Sequence, residues 1–449
     1  MDDRFDAIVI GMGPGGEVVA SKLLEAGKRV AVVERELIGG ECAYWACIPS
    51  KTVLRPPKAK GGVDRAAGVD GAGLDWPATR DYRDYMIRHL DDSKQGSGYE
   101  KSGATVIKGA ARITAPGSVD VEGQRLTAEH IVVATGSDPV VPPIEGLDQA
   151  PVWTNREATT LTEIPDRVVI VGGSAVGVEL SLFLHRYGAE VTILEQTERL
   201  LPREDPRVGE LTERYVRDEG IDVRTGATAA RVRREGQDTV VEVDGGGEVR
   251  CDVIVVGAGR RPRTADLGLD TVGVQVGERG ELVVDDKCHA GAGVWGLGDV
   301  TGVMLFTHVA KYQARVVADN ILGRSRTARY DGIPRVVFAD PEIAAVGMTS
   351  RQARDRGLPV ASTEVDLADA IARPWTYERD PRGHLGVLAD RDRRVLVGAW
   401  ALGPQASEWI HTAALAVREQ IPVDRLLDQV AQFPTYNEGY LQALQRLEL

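Results

Sequence analysis

Two cysteines five positions apart, Cys42 and Cys47, lie in the segment GGECAYWACIPSK. A tetrahedral zinc site usually needs a second ligand pair at similar spacing, and the remaining cysteines, Cys251 and Cys288, stand alone in polar or apolar stretches that favour packing or surface roles. A disulfide that merely stapled so short a loop would add little stability. The spacing therefore favours a redox-active thiol pair, with a zinc ligand pair and a structural staple as the alternatives.

The residues around the pair favour a reactive thiolate. A helix that begins near Cys42 would place both thiols at its positive end and lower their pKa values. Pro49 is tolerated near the start of a helix, and Lys51 adds positive charge one turn after Cys47. We therefore expect lowered thiol pKa values in this segment.

A glycine-rich unit precedes the cysteines. In DAIVIGMGPGGEVVASKLLEAGKRVAVVERE a buried-strand pattern leads to Gly11, Gly13 and Gly16, a helical pattern follows, and a second apolar run ends at Glu34. Glycines at this strand-to-helix turn let the backbone approach a pyrophosphate at the helix N-terminus, and the acid accepts hydrogen bonds from ribose hydroxyls. The unit predicts a Rossmann-like dinucleotide site.

The same unit recurs as RVVIVGGSAVGVELSLFLHRYGAEVTILEQ, with Gly172, Gly177 and Glu195 at the equivalent positions and Ser174 in place of the middle glycine. Two units imply two dinucleotides. Glu195 would repel a 2′-phosphate, so the second unit favours NAD over NADP. NADP stays open because of two nearby arginines, Arg199 and Arg203.

The whole chain resembles the class I pyridine nucleotide–disulfide oxidoreductases, the family of dihydrolipoamide dehydrogenase, glutathione reductase and mercuric reductase. The resemblance is carried in order by GMGPGG, GGECAYWACIPSK, ATGS, GRRP, GLGDV and VVFADPEIAAVGMT. It implies that FAD binds the first glycine unit and NAD the second. It also implies FAD contacts from the residues Thr135, Gly136, Gly298 and Asp299.

The resemblance implies the catalytic roles as well. Cys47 would face the flavin and form the thiolate charge-transfer contact, and Cys42 would exchange with substrate. Lys51 and Glu179 would form an ion pair near flavin N5, so that electrons pass from nicotinamide through the flavin to a Cys42–Cys47 disulfide.

One departure concerns the C-terminal segment QFPTYNEGY. Pro434, Thr435 and Glu438 fit the family, but Phe433 stands where the family has a histidine that the partner subunit supplies. Phenylalanine carries no proton, and loss of such help typically costs about 10²–10⁴-fold in rate. Other residues with a group that could exchange a proton in place of this histidine are Tyr436, His411 and His308.

The fold class predicted is α/β, with two doubly wound, Rossmann-like nucleotide-binding domains and an α+β C-terminal dimerisation domain. The domains expected are an FAD-binding domain at 1–150 and 263–328, an inserted NAD(P)-binding domain at 151–262 and an interface domain at 329–449. The charged segment RDYRDYMIRHLDDSKQGSGYEKSG predicts one amphipathic helix with Tyr82, Tyr85, Ile87 and Leu90. The resemblance implies a homodimer.

Composition narrows the class of protein further. The net charge of −13 over 449 residues argues against a nucleic-acid partner. The sequence has no apolar run long enough to span a membrane, and its acidic start is unlike a secretory signal. We therefore expect a cytoplasmic protein with no resident metal.

Three functions remain open from the sequence. The first is an FAD-dependent NAD(P)H oxidoreductase that passes electrons through Cys42–Cys47 to a disulfide or other small acceptor. The second is a flavin-direct NAD(P)H:quinone or metal-ion reductase, which Phe433 motivates. The third is a non-catalytic, redox-responsive binding protein.

Overall fold

The computed structural model describes residues 4–69, 71 and 73–449. The chain divides into two compact units, each built from three stretches of sequence. The first contains the residues up to Ser50, Asp81–Val140 and Gly259–Arg329. The second contains Lys51–Arg80, where described, Val141–Ala258 and Tyr330–Leu449.

The first unit is centred on a mostly parallel sheet. Its strand order is His289–Gly291, Val294–Gly296, Gln124–Val133, Arg4–Ile10, Val30–Glu34 and Thr105–Lys108, with Ala111–Ala115 and Ser118–Val121 paired on to Gln124–Val133. The runs Ala7–Ile10 and Val30–Val33 are buried throughout, because parallel strands are covered on both faces. A short ribbon, Ser137–Pro139 with Arg260–Pro262, completes the strands of this unit.

Helices cover this sheet. Pro14–Glu25 begins with proline at its first turn, where the missing N–H leaves no hydrogen bond unmade. It packs closely on the helix Thr307–Ile321. A Cβ added at Gly15 would lie only 3.2 Å from the Ala310 Cβ. The other helical segments of this unit are Gly40–Tyr44, the start of Cys47–Arg65, the end of Trp76–Met86, Arg88–Leu90, Ser93–Lys101, Leu269–Val272 and Gly298–Thr301.

The prediction of one continuous helix over RDYRDYMIRHLDDSKQGSGYEKSG is wrong. The helix Trp76–Met86 ends before the segment Arg88–Leu90, whose residues all have positive φ, and a new helix spans Ser93–Lys101. Tyr82 and Tyr85 are exposed and stack on each other, whereas Ile87 is buried. The apolar residues thus face different environments, which a single packed face would not allow.

The second unit contains a parallel sheet with the order Asp222–Thr225, Glu190–Glu195, Arg167–Val171, Val253–Val256 and Val152–Trp153. This unit also contains a three-stranded antiparallel sheet, formed by Ala229–Glu235, Asp238–Val243 and Glu248–Cys251. The helices in this part are Asn155–Thr160, Ala175–Arg186 and Pro206–Asp218, with Leu147–Gln149 as a short turn. Ala175–Arg186 is buried along most of its length, from Gly177 to Leu184.

The C-terminal part of the second unit is an antiparallel sheet with helices. The strand order is Pro334–Val337, Glu342–Gly347, Val395–Gly403, His384–Asp390 and Val360–Asp366. The helices are Ser350–Asp355, Leu367–Ala370, Arg373–Tyr377, Ala406–Trp409, His411–Glu419, Val423–Leu427 and Glu438–Gln445. The α/β class with two doubly wound sheets and an α+β C-terminal part is confirmed.

Candidate active site

The first glycine loop is shaped to leave its helix N-terminus open. Gly11 has φ of +94°, and a Cβ there would lie 2.5 Å from the Ala134 carbonyl oxygen. A Cβ at Gly16 would lie 2.0 Å from the Gly11 carbonyl oxygen, so strand and helix approach too closely for a side chain. Gly13 caps the helix Pro14–Glu25, and a Cβ there would meet nothing within 4 Å. The open space at Gly13 and the amides of the helix N-terminus suit a pyrophosphate.

Glu34 closes this loop from the end of its strand. Its Oε2 accepts the Met12 N–H at 2.7 Å and its Oε1 accepts the Glu36 N–H at 2.8 Å. Each carboxylate oxygen has two lone-pair directions, so both oxygens can still accept a ribose hydroxyl. The residues present therefore fit the adenosine end of FAD.

The second glycine loop repeats this geometry in the second unit. Glu195 Oε2 accepts the Gly173 N–H at 2.6 Å and Oε1 accepts the Thr197 N–H at 2.7 Å. A Cβ at Gly177 would lie 2.0 Å from the carbonyl oxygen of Gly172, whose φ is +110°. The two loops thus share the acid-to-loop contact as well as the sequence pattern.

Ser174 explains how the second loop manages without its middle glycine. The Ser174 hydroxyl donates to the Gly257 carbonyl at 2.9 Å and accepts the Gly177 N–H at 3.4 Å, which caps the helix Ala175–Arg186. Of the two arginines that kept NADP open, Arg203 is exposed, and Arg199 has a buried Nε with no hydrogen-bond partner among the described residues.

Asp299 lies in the short helical segment Gly298–Thr301, whose first residue, Gly298, has φ of +80°. The Ser137 hydroxyl donates to Asp299 Oδ2 at 2.6 Å, and Arg260 Nε donates to that hydroxyl at 2.8 Å. Burial raises the pKa of Asp299, while Ser137 and Arg260 oppose the rise. A polar carboxyl held in this way can meet a ribityl hydroxyl.

Thr135 and Gly136 form the turn at the end of the strand Gln124–Val133. The Thr135 hydroxyl donates to the Arg263 carbonyl at 2.6 Å, and the Gly136 carbonyl accepts the Arg263 N–H at 2.9 Å. These contacts hold the turn against Arg263, which directly follows the GRRP segment within the first unit.

The two cysteines lie side by side. Cys42 is in the helix Gly40–Tyr44 and Cys47 is the first residue of Cys47–Arg65, and both are free thiols. Cys47 Sγ lies 3.3 Å from the Thr307 hydroxyl. The hydrogen bond with Cys47 and burial raise the pKa of Cys42, while Thr307 and Lys311 oppose the rise.

The expected lowering of the Cys42 pKa is therefore wrong for the dithiol. Ionising Cys42 would give up its hydrogen bond to Cys47 and place a second charge beside that sulfur. The longer helix also begins at Cys47, so its positive end lies at the second thiol and not at the first. Ionisation of Cys42 in the dithiol is therefore disfavoured.

Lys51 and Glu179 form an ion pair within the second unit. Lys51 Nζ lies 2.7 Å from Glu179 Oε2, and the Phe338 N–H donates to Glu179 Oε1 at 2.9 Å. The Lys51 ammonium also lies 4.7 Å from the centre of the Phe338 ring. Two contacts thus orient the ammonium, and the Phe338 N–H holds the carboxylate that it pairs with.

The predicted residues of the C-terminal segment differ in their exposure and in their contacts. Phe433 is 70% exposed, and Glu438 Oε2 accepts the Thr435 N–H at 3.1 Å, where it caps its own turn. Tyr436 is buried against Trp409, and burial raises the pKa of its hydroxyl further above the ordinary range. Tyr436 is therefore poorly suited to replace a histidine that must exchange protons near neutral pH.

The other candidates also have simple surroundings. His411 is exposed, and His308 is exposed and stacks on Phe306 at 5.1 Å. Cys251 and Cys288 are buried in the cores of their units, and burial raises the pKa of Cys251 to about 12.

Sequence reasoning missed Thr307 as a neighbour of Cys47. The two residues are separated by 260 positions, and Thr307 begins an ordinary amphipathic helix. No local pattern marks it.

Comparison with known proteins defines the class. Residues 5–314 match the family described as pyridine nucleotide-disulphide oxidoreductase, and residues 333–444 match its dimerisation domain. The chain belongs to the pyridine nucleotide-disulphide oxidoreductase family. It is an enzyme, an FAD-dependent oxidoreductase that uses NAD(P)H, so the non-catalytic alternative falls away.

Individual relatives point the same way. The chain is 34% identical to a dihydrolipoyl dehydrogenase of Thermus scotoductus, covering 99% of this chain and 97% of that protein. It is 30% identical to a mercuric reductase of Staphylococcus aureus, covering 98% and 81%. It superimposes on the HOCl-induced flavoprotein disulfide reductase of Escherichia coli with a TM-score of 0.88 at 29% identity, covering 99% and 100%. Among the residues described, no helix has the length and apolar character needed to cross a bilayer.

Proposed function

We propose that this enzyme passes two electrons from NAD(P)H to the Cys42–Cys47 pair and from there to a small acceptor such as a disulfide. The observation that carries the proposal is the adjacent thiol pair, hydrogen-bonded together, with the Thr307 hydroxyl 3.3 Å from Cys47 Sγ. When bound, FAD accepts hydride from reduced nicotinamide and makes electrons available to a neighbouring acceptor. The chain's own residues supply binding, orientation and protons.

Several residues are suited to hold the two nucleotides. For FAD they are the open helix N-terminus at Gly13, the Glu34 carboxylate and Asp299. For NAD(P)H they are the N-terminus of Ala175–Arg186 and Glu195. The Glu195 carboxylate favours NADH, because it would repel the 2′-phosphate of NADPH.

The electrons and protons of the thiol–disulfide reaction balance at the cysteine pair. Reduction of a Cys42–Cys47 disulfide takes two electrons and two protons and yields both thiols. Cys42 keeps one proton, and the Thr307 hydroxyl is placed to donate a hydrogen bond to a Cys47 thiolate. When the pair reduces an acceptor disulfide, the cysteine disulfide reforms and the acceptor becomes two thiols. Phe433 supplies no proton to that exchange.

We also propose a homodimer. The C-terminal region matches a dimerisation domain, and Val430 and Phe433 are 97% and 70% exposed in the single chain. These two exposed apolar side chains are three residues apart, and a contiguous exposed apolar patch is typical of an interaction surface. A cytoplasmic location fits a thiol pair that NAD(P)H keeps reduced.

An anaerobic titration with NADH tests the proposal. Wild type should consume two electrons beyond those taken up by the flavin, with thiolate charge-transfer absorbance at the two-electron level. Cys42→Ser and Cys47→Ser should each lose the extra two-electron capacity. If wild type takes up only the electrons of the flavin, the role of the pair is refuted.

A second candidate is direct reduction of a quinone or metal ion without the cysteines. Phe433 and the several mercuric reductases among the relatives favour it. The same cysteine variants decide the matter: full retention of NADH-dependent quinone or Hg(II) reduction would favour the direct route, and loss would exclude it.

A further inference from the structure

The segment Arg88–Leu90 has an unusual backbone. Arg88, His89 and Leu90 have φ values of 55°, 51° and 59°, one after another. Residues with a Cβ disfavour this left-handed region, and consecutive examples are rarer still. Such a conformation persists only where the surroundings hold it in place.

Arg88 in this turn and Asp92, two residues after it, both contact the chain between Ile38 and Tyr44. The Arg88 guanidinium lies over the Tyr44 ring, 5.7 Å from its centre, which is within cation–π range. Asp92 Oδ2 accepts the Ile38 N–H at 2.7 Å and is itself paired with Lys108 at 2.7 Å. The turn and Asp92 together therefore brace the chain from Ile38 to Tyr44.

Tyr44 lies between the two cysteines in sequence and is completely buried. Its hydroxyl donates to the Ile38 carbonyl at 3.1 Å. Its ring covers Gly39, where a Cβ would lie 3.0 Å from the ring carbon Cε2. Tyr44 ends the helix of Cys42, so its position fixes the point from which the chain continues to Cys47.

We propose that Tyr44, held by Arg88 and the Ile38 carbonyl, is a positioning residue that keeps the Cys42 and Cys47 sulfurs at bond-forming separation. This inference rests on the proposed function. Holding two reacting groups in place raises their effective concentration. Tyr44 therefore favours the disulfide over the dithiol, and the brace makes the pair a stronger reductant.

The test is a thiol–disulfide equilibrium of the holoenzyme with reduced and oxidised dithiothreitol. The enzyme disulfide and the dithiothreitol dithiol exchange two electrons and two protons, and acid-trapped thiols are counted by alkylation and mass. Tyr44→Phe and Arg88→Ala should each shift the equilibrium toward the dithiol by about three- to tenfold, the effect of one such contact. A tenfold shift equals about 30 mV.

Two further variants serve as controls. Arg88→Lys keeps the cation and should stay within about twofold of wild type, and it remains informative if Arg88→Ala does not fold. Tyr215→Phe alters a buried tyrosine that also lies beneath an arginine, Arg214, but in the other unit, and should leave the equilibrium unchanged.

The outcomes separate the two proposals. Wild-type equilibria in both Tyr44→Phe and Arg88→Ala would overturn the positioning role while the proposed function stands. If wild type forms no Cys42–Cys47 disulfide at any ratio of the buffer, the proposed function fails and the positioning role fails with it.

Discussion

The Thr307 hydroxyl lies 3.3 Å from the sulfur of Cys47. Thr307 begins the helix Thr307–Ile321, whereas Cys47 begins Cys47–Arg65, so the contact joins the first residues of two helices. A hydroxyl can donate to a thiolate without giving up its own proton. Thr307 can therefore stabilise an ionised Cys47.

Thr307→Val should weaken this thiolate. A hydrogen bond to a charged group contributes about 1.5–3 kcal/mol, and about 1.4 kcal/mol corresponds to one pH unit. We expect the midpoint pH of the charge-transfer absorbance in the two-electron-reduced enzyme to rise by about one to two units. Thr307→Ser keeps the hydroxyl and should titrate like wild type; an unchanged midpoint in Thr307→Val would show that the contact is incidental.

The Lys51–Glu179 pair should act as one unit in flavin reduction. Lys51→Met should slow reduction by NADH about ten- to hundredfold, the cost of one charge-assisted hydrogen bond. Glu179→Gln should slow it less, and the double variant should be no slower than Lys51→Met, because both changes remove the same contact. Stopped-flow absorbance measures all four rates.

Lys58→Met provides the matched control for the comparison of the Lys51 and Glu179 variants. Lys58 lies in the same helix and pairs with Glu342 in the second unit. Its removal should leave the reduction rate unchanged. Strictly additive effects of Lys51→Met and Glu179→Gln would contradict a shared role.

The raised pKa of Cys42 should make the reduced protein lose stability in alkali. Below the unfolded thiol pKa of about 8.5, both folded and unfolded chains keep the proton. Above it the unfolded chain releases the proton while folded Cys42 retains it. The free energy of unfolding then falls with pH, by at most about 1.4 kcal/mol per unit for one group.

Melting temperatures at pH 7.5 and 10, with a phosphine reductant, measure this loss. Cys42→Ser should show a smaller drop than wild type, and so should the oxidised protein, whose disulfide has no thiol proton. Equal drops in wild type and Cys42→Ser would contradict the raised pKa.

Phe433→His should increase turnover of a lipoamide-type disulfide. A positioned acid–base typically contributes about 10²–10⁴-fold, so we expect at least a tenfold gain in kcat/KM from an imperfectly placed imidazole. The neighbouring Gln432→His places the same ring one residue away on an exposed position and should gain nothing. Equal kcat/KM values for the two variants would show that position 433 does not lie at the site of thiol exchange.

Val430→Asp should dissociate the proposed dimer, because it places a charge where a fully exposed valine would be covered by the partner. Light scattering across a dilution series measures the mass. Tyr85→Asp changes another exposed apolar residue, in the first unit, and should leave the mass unchanged. A wild-type mass equal to one chain would refute the dimer directly.

The sequence alone determined the features that depend on residues close together in the chain. Two short stretches show a strand–turn–helix pattern in their residue types, and these stretches contain Gly11 with Glu34 and Gly172 with Glu195. The spacing of the two cysteines is likewise visible in one short segment. These stretches were enough to predict the α/β class and, with the family resemblance, the cofactors.

Tertiary structure decided what depends on residues far apart in the chain. The Thr307 hydroxyl beside Cys47, the Arg88 guanidinium over Tyr44 and the hydrogen bond that raises the Cys42 pKa all arise from chain segments brought together by folding. The break after Met86 belongs here too, since its left-handed backbone is held by contacts and not by local preference. Local patterns fix propensity and spacing, whereas proton affinity and orientation depend on neighbours that only the folded chain supplies.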